Sequence, residues 1–169
     1  NKIINRILEN KKNKNNSIRF NSISHLICVL ENYTDRTIMQ SVDEIEEFIT
    51  VMLNDSKSEN RLNARQLYFL FNEKYPDRAE RLFIDFNYSV KKQISEELQI
   101  MQENNENNDN DNFNDDREYY EENEENINVN KNENENEEEE NSYYNLYVKN
   151  NQNKNMNMNM SIQPKEIYS

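Results

Sequence analysis

Few residues of this chain have types and spacings that chemistry could use. His25 and Cys28 stand three apart in a helical pattern, a spacing able to hold zinc, but no second pair accompanies them. A core or boundary role is therefore expected for both. Asp43, Glu44, Glu46 and Glu47 crowd one short stretch. Paired carboxylates do acid–base work only in a pocket that shifts a pKa, so a solvated helix face is the expected reading. A chain with no Gly has no Gly-rich phosphate loop, and no nucleophile motif is present. The remaining set is cationic. Lys11, Lys12 and Lys14 lie in the polar run NKKNKNNS (residues 10–17), and Lys57 and Arg61 lie in or just after NDSKSEN (residues 54–60). No catalytic residue, metal, cofactor or small-molecule substrate is expected, and the chain reads as non-enzymatic.

Those two polar runs are placed by helices. Residues 1–9 carry Ile3, Ile4, Ile7 and Leu8, an amphipathic spacing. Residues 18–33 put Ile23, Leu26, Ile27 and Leu30 on one face, widened by Cys28 and Val29. Residues 32–40 read as a longer connection. Residues 42–53 are the clearest helix, with Val42, Ile45, Phe48, Ile49, Met52 and Leu53 in register. Ser41 and Glu44 suggest a capping box at its start. Residues 61–75 use Ala64, Leu67, Tyr68, Leu70 and Phe71. Pro76 ends that helix and suits the first turn of the next, about 77–86, with Ala79, Leu82, Phe83 and Phe86. A last helix, about 89–101, has Val90, Ile94, Leu98 and Met101. No such helix can bury its stripe alone. Antiparallel pairs stacked in a row can, which makes the fold class all-α, an α-solenoid.

Charge divides the 169-residue chain in two. Residues 1–102 hold 15 Lys and Arg against 15 Asp and Glu; residues 103–169 hold 5 against 18, so the whole net charge of −13 falls in the second part. That part, with runs such as NENENEEEEN and NKNMNMNM, has too little apolar material to offset the entropy of ordering it, and it is expected to be a disordered acidic tail. Short apolar islands within it are Tyr143-Tyr144-Asn145-Leu146-Tyr147 and Ile162. A polyanionic tail disfavours nucleic acid as a partner. No apolar run approaches the roughly 20 residues that span a bilayer, and no membrane partner is expected. Cys28 is the only cysteine, so a reducing compartment is the default. The chain does not begin with Met and is read as a piece of something longer.

Three segments together resemble a known family. They are NKNNSIRFNSISHLICVLENY (residues 13–33), NDSKSENRLNARQLYFLFNEKYPDRAERLF (residues 54–83) and FNYSVKKQI (residues 86–94). They look like the latter half of a TOG domain of the CLASP type (cytoplasmic linker-associated proteins). The matching residues are Lys14, Asn15, Arg19, Leu30, Glu31 and Tyr33, then Asp55, Arg61, Ala64, Arg65, Tyr68, Pro76, Ala79 and Leu82, then Phe86, Asn87, Ser89 and Lys92. The block from Ala64-Arg65 to Leu82 is the most specific. Asn60 departs from the family, which usually has Val there, and Asn87 and Lys91 replace the usual Asp and Gln.

The resemblance implies a HEAT-repeat solenoid over residues 1–102. Its repeats would pair residues 1–9 with 18–33, 42–53 with 61–75, and 77–86 with 89–101. The loops inside repeats would then be residues 10–17 and 54–60. In TOG domains such loops line the edge that contacts tubulin. The implied tubulin-binding set is Lys11, Lys12, Lys14, Lys57 and Arg61, whose cations suit an acidic partner. Plain solvation is the alternative for the three lysines of the first loop. For Arg19 and Arg61 the alternative is structural pairing with Asp55. The implied function is that of a microtubule-associated protein regulating microtubule growth, in the cytoplasm on the microtubule or spindle cytoskeleton. The rival is a HEAT scaffold for another protein, such as a kinase or a transport factor. The acidic tail would act as a spacer or compete with tubulin for the basic loops.

Overall fold

A computed structural model describes residues 2–106 and 141–149. Among the described residues there is no strand. The helices are α1 (Lys2–Leu8), α2 (Asn16–Asn32), α3 (Asp35–Ile38), α4 (Val42–Leu53), α5 (Ser58–Lys74), α6 (Pro76–Asp85) and α7 (Tyr88–Glu106), followed by α8 at residues 141–149. Short 3-10 turns, Glu9–Lys12 and Met39–Ser41, close α1 and lead into α4. The chain forms two compact units, Asn1–Val90 and Lys91–Ser169, and the boundary falls within α7.

In the first unit α1 packs on α2 and α4 packs on α5, giving two helix hairpins. The hairpins join chiefly through α2 and α5, and α6 lies on α5. This is the all-α, HEAT-like stacking that the apolar stripes call for. The stripes meet in one core: Ile4 and Leu8 from α1, Ile23, Leu26 and Leu30 from α2, Ile45, Phe48, Ile49 and Met52 from α4, and Leu67, Tyr68 and Phe71 from α5 are all buried. Each such side chain removed from water contributes roughly 1.5–3 kcal/mol. Tyr68 sits at the junction of α5 and α6. Its ring meets Phe86 edge-on at 5.4 Å between centroids, and its hydroxyl donates to the Ala79 carbonyl at 3.0 Å. The phenol can therefore be fully buried with its polar end satisfied. Pro76 opens α6 at its first turn, as the sequence suggests.

Several local expectations give way to other solutions. Ser41 makes no capping bond. The Met39–Ser41 turn winds directly into α4, so the chain is already helical where the box would form. The Ser41 hydroxyl instead donates to Asn5 Oδ1 at 3.2 Å, linking the turn before α4 to α1. The connection at 32–40 contains α3, anchored by the fully buried Ile38. One apolar residue in four gives no period to read. His25 and Cys28 are both exposed rather than core. Ile3 is exposed as well, and Ile4 and Leu8 carry the burial of α1.

The acidic run on α4 is not a freely solvated face. Arg78 of α6 pairs with both Asp43 and Glu46, and Lys11 pairs with Glu47 at 2.6 Å. Only Glu44 of the four has no ion pair among the described residues. These pairs tie α4 sideways to α6 and to the turn after α1.

In the second unit Ile94 and Ser95 of α7 and Tyr147 of α8 are buried. Most of the tail expected to be disordered, residues 107–140 and 150–169, lies outside the described residues.

Candidate functional site

The two polar loops are built from the same set of interactions. In the first, Asn13 Oδ1 accepts the Asn15 N–H at 2.9 Å. Asn15 Oδ1 in turn accepts the Ser17 N–H at 2.9 Å and caps α2. An Asn at this position satisfies one of the free N–H groups of the first helical turn. In the second loop, Asp55 Oδ1 accepts the Lys57 N–H at 2.9 Å and turns the chain into α5.

One arginine joins the loops. Arg19, in the first turns of α2, donates from Nε to Asp55 Oδ2 at 2.6 Å and from Nη2 to Asp55 Oδ1 at 2.9 Å. Its Nη1 donates to the Asn13 carbonyl at 2.7 Å. A guanidinium fork matched to a carboxylate is a strong and directional contact. Beside it, Asn60 Nδ2 donates to Asn16 Oδ1 at 2.9 Å, a second tie between the loops. The Asp55 side chain is only 4 % exposed and that of Arg19 12 %. Burial alone would push the Asp55 carboxyl up. The Arg19 guanidinium, the Lys57 N–H and the Asn60 amide outweigh it and bring the group down to about 2. The hydrogen bond to Asp55 likewise raises Arg19 above its ordinary value.

On this fixed frame the five cations suggested by the sequence fall into two kinds. Lys12, Lys14 and Lys57 are exposed. Lys11 and Arg61 are half-buried and engaged with the protein. Lys11 holds Glu47, whose carboxyl lies below its usual range, first because of that hydrogen bond and then through the charges of Lys11 and Lys12. Arg61 Nη1 donates to the Asp55 carbonyl at 3.0 Å and so supports the second loop from behind. The carboxylate of Asp55 is thus taken by Arg19, while Arg61 takes its backbone. Glu47 was not among the residues singled out by the sequence for this edge. It lies on α4, and no local pattern links it to the first loop.

The frame has one irregular point. Asn60 is fully buried, and its Oδ1 has no hydrogen-bond partner among the described residues. No group of three or more His, Cys, Asp or Glu side chains that could hold a metal occurs among the described residues. No helix among them is long and apolar enough to cross a membrane. The geometry is that of a rigid edge carrying positive charge, with its cations on short turns.

Residues 1–95 match the family described as CLASP N terminal. A similar curated protein is a CLIP-associated protein of Arabidopsis thaliana, 35 % identical over 98 residues. The match takes in 57 % of this chain and 7 % of the relative, so the chain spans a small part of that protein's length. The matched region contains both loops, the Arg19–Asp55 clamp and the buried α5–α6 junction. The chain belongs to the CLASP N-terminal family.

Proposed function

We propose that this chain is a non-enzymatic, tubulin-binding domain that acts through the edge formed by residues 10–17 and 54–61, and that it takes part in regulating microtubule dynamics. The family membership supports a cytoplasmic, microtubule-associated setting. The observation that carries the reading is the pairing of rigidity with exposure: Lys12, Lys14 and Lys57 reach solvent from loops that Arg19 and Asp55 hold together. Tubulin is strongly acidic, and cations on a fixed edge both steer such a partner and set its register. The proposed contact set is therefore graded. Lys12, Lys14 and Lys57 contact the partner directly, Lys11 does so in competition with Glu47, and Arg61 supports the loop.

The test is binding of the full 169-residue chain to soluble tubulin, followed by fluorescence at low and high salt. Binding that weakens steadily as salt screens the charges is the expected result. A folded chain that fails to bind tubulin at low salt overturns the proposal.

A further inference from the structure

Helix α8 is out of place by composition. It lies in the part of the chain that holds all the excess negative charge, yet it carries Tyr143, Tyr144, Tyr147 and Val148 along one side. Tyr147 is 1 % exposed, the other three are half-buried, and Asn141, Ser142, Asn145 and Lys149 are exposed. Most of the stability of a helix in a protein comes from packing its apolar side rather than from intrinsic propensity. The helix therefore depends on the surface that buries its aromatic side. Within the second unit that surface includes α7: the Ser95 hydroxyl, itself fully buried, donates to the Tyr143 carbonyl at 3.3 Å.

We propose that residues 141–149 are a tethered ligand of α7, a strap that docks through Tyr147 and withholds this part of α7 from other molecules. The CLASP N-terminal match ends at residue 95, so the strap lies beyond the family's domain. The covalent tether through residues 107–140 makes docking intramolecular. Its effective concentration is then set by the tether, and few contacts suffice to hold it. The same economy makes it releasable. Leu98 of α7 is half-buried, Ile100 and Met101 are exposed, and a short amphipathic helix bearing aromatic residues is the kind of partner that would replace α8 here.

Hydrogen exchange on the full chain tests the strap. In Tyr147→Ala, peptides covering residues 91–101 should exchange about tenfold faster, while those from α4 and α5 keep their protection. Asn145→Ala, on the exposed side of α8, should leave both regions unchanged. Three results would overturn the proposal. One is unchanged exchange over 91–101 in Tyr147→Ala. Another is loss of protection in α4 and α5 as well, which would make Tyr147 part of the general core. The last is equal opening by Asn145→Ala, which would remove the face specificity on which docking rests.

Discussion

Arg19 and Asp55, 36 residues apart, are locked through two parallel hydrogen bonds of 2.6 and 2.9 Å. This fork fixes the first loop against the second. Asp55→Asn removes the charge but keeps the shape, leaving a mostly buried guanidinium without its counter-ion. Breaking a buried pair on one side costs roughly 3 kcal/mol or more. For a domain of this size that is a fall of at least about 10 °C in melting temperature. Thermal unfolding followed by circular dichroism checks it. A variant melting within a degree or two of the parent would mean that the clamp does not hold the loops.

The same carboxylate sets a pH dependence. Asp55 is lowered from an ordinary value of 3.8 to about 2 in the folded chain. A depressed acid stabilises the fold above its unfolded pKa and loses that contribution as pH falls through the folded one. The gap corresponds to roughly 2 kcal/mol, present above about pH 4 and lost towards pH 2. Urea unfolding between pH 5 and pH 2 should show this loss in the parent chain. In Asp55→Asn the corresponding slope should be missing.

The exposed lysines should act together. Each is solvated, and a single exposed charge contact contributes about 1 kcal/mol or less. Replacing Lys12, Lys14 and Lys57 by Ala at once should weaken tubulin binding about thirtyfold at low salt, with the single variants losing only a few-fold each. The triple variant should also lose most of the salt dependence. Retention of the parent's salt slope would place the binding surface elsewhere on the domain.

Glu47 acts in the opposite direction. It holds Lys11 at 2.6 Å and lies close to Lys12 as well, so it competes for the cations that a tubulin surface would use. Glu47→Gln keeps the size and removes the competitor. Tubulin binding should tighten about threefold at low salt, and the gain should vanish at high salt. Weaker binding in Glu47→Gln would instead mean that Glu47 positions Lys11 for the partner.

Much of this arrangement is legible in the residues themselves. The apolar stripes of residues 18–33, 42–53 and 61–75 foretell α2, α4 and α5, because each faces a core along its whole length. Pro76 marks the break between α5 and α6 by its covalent geometry. The polar runs at 10–17 and 54–60 mark the edge, and Arg19 and Asp55 stand at the helix start and turn where a clamp would form. The rest depends on partners distant in sequence. Ser41 resembles a cap until the preceding turn is seen to be helical. Asp43 and Glu46 resemble a solvated face until Arg78 arrives from α6. Lys11 and Lys14 look alike in sequence, and only the position of α4 gives Lys11 an ion pair. In α8, three tyrosines in a tail rich in asparagine and glutamate declare no helix, because α7, on which Tyr143 docks, is far away along the chain.

Asn60 stands where the resemblance drawn from the sequence leads one to expect Val, and its burial carries a cost. The side chain is fully buried, and Oδ1 has no partner among the described residues. An unsatisfied buried polar atom costs about 1–3 kcal/mol. Against this stand the hydrogen bond from Nδ2 to Asn16, worth about 1 kcal/mol, and a contribution to keeping Asp55 ionised. Asn16 is half-buried and meets solvent when the bond is removed, so its amide is not stranded. Asn60→Val should therefore stabilise the fold by about 1 kcal/mol, a rise of roughly 4–8 °C in melting temperature. Because the Asn60 amide also helps to depress Asp55, the acid-induced loss of stability should be smaller in this variant and should level off at a slightly higher pH. Asn60→Ala separates polarity from packing: it removes the same unsatisfied oxygen but leaves a cavity, and it should melt below Asn60→Val. If Asn60→Val melts below the parent chain, the tie between Asn60 and Asn16 outweighs the unsatisfied oxygen, and the two loops depend on it as well as on Arg19.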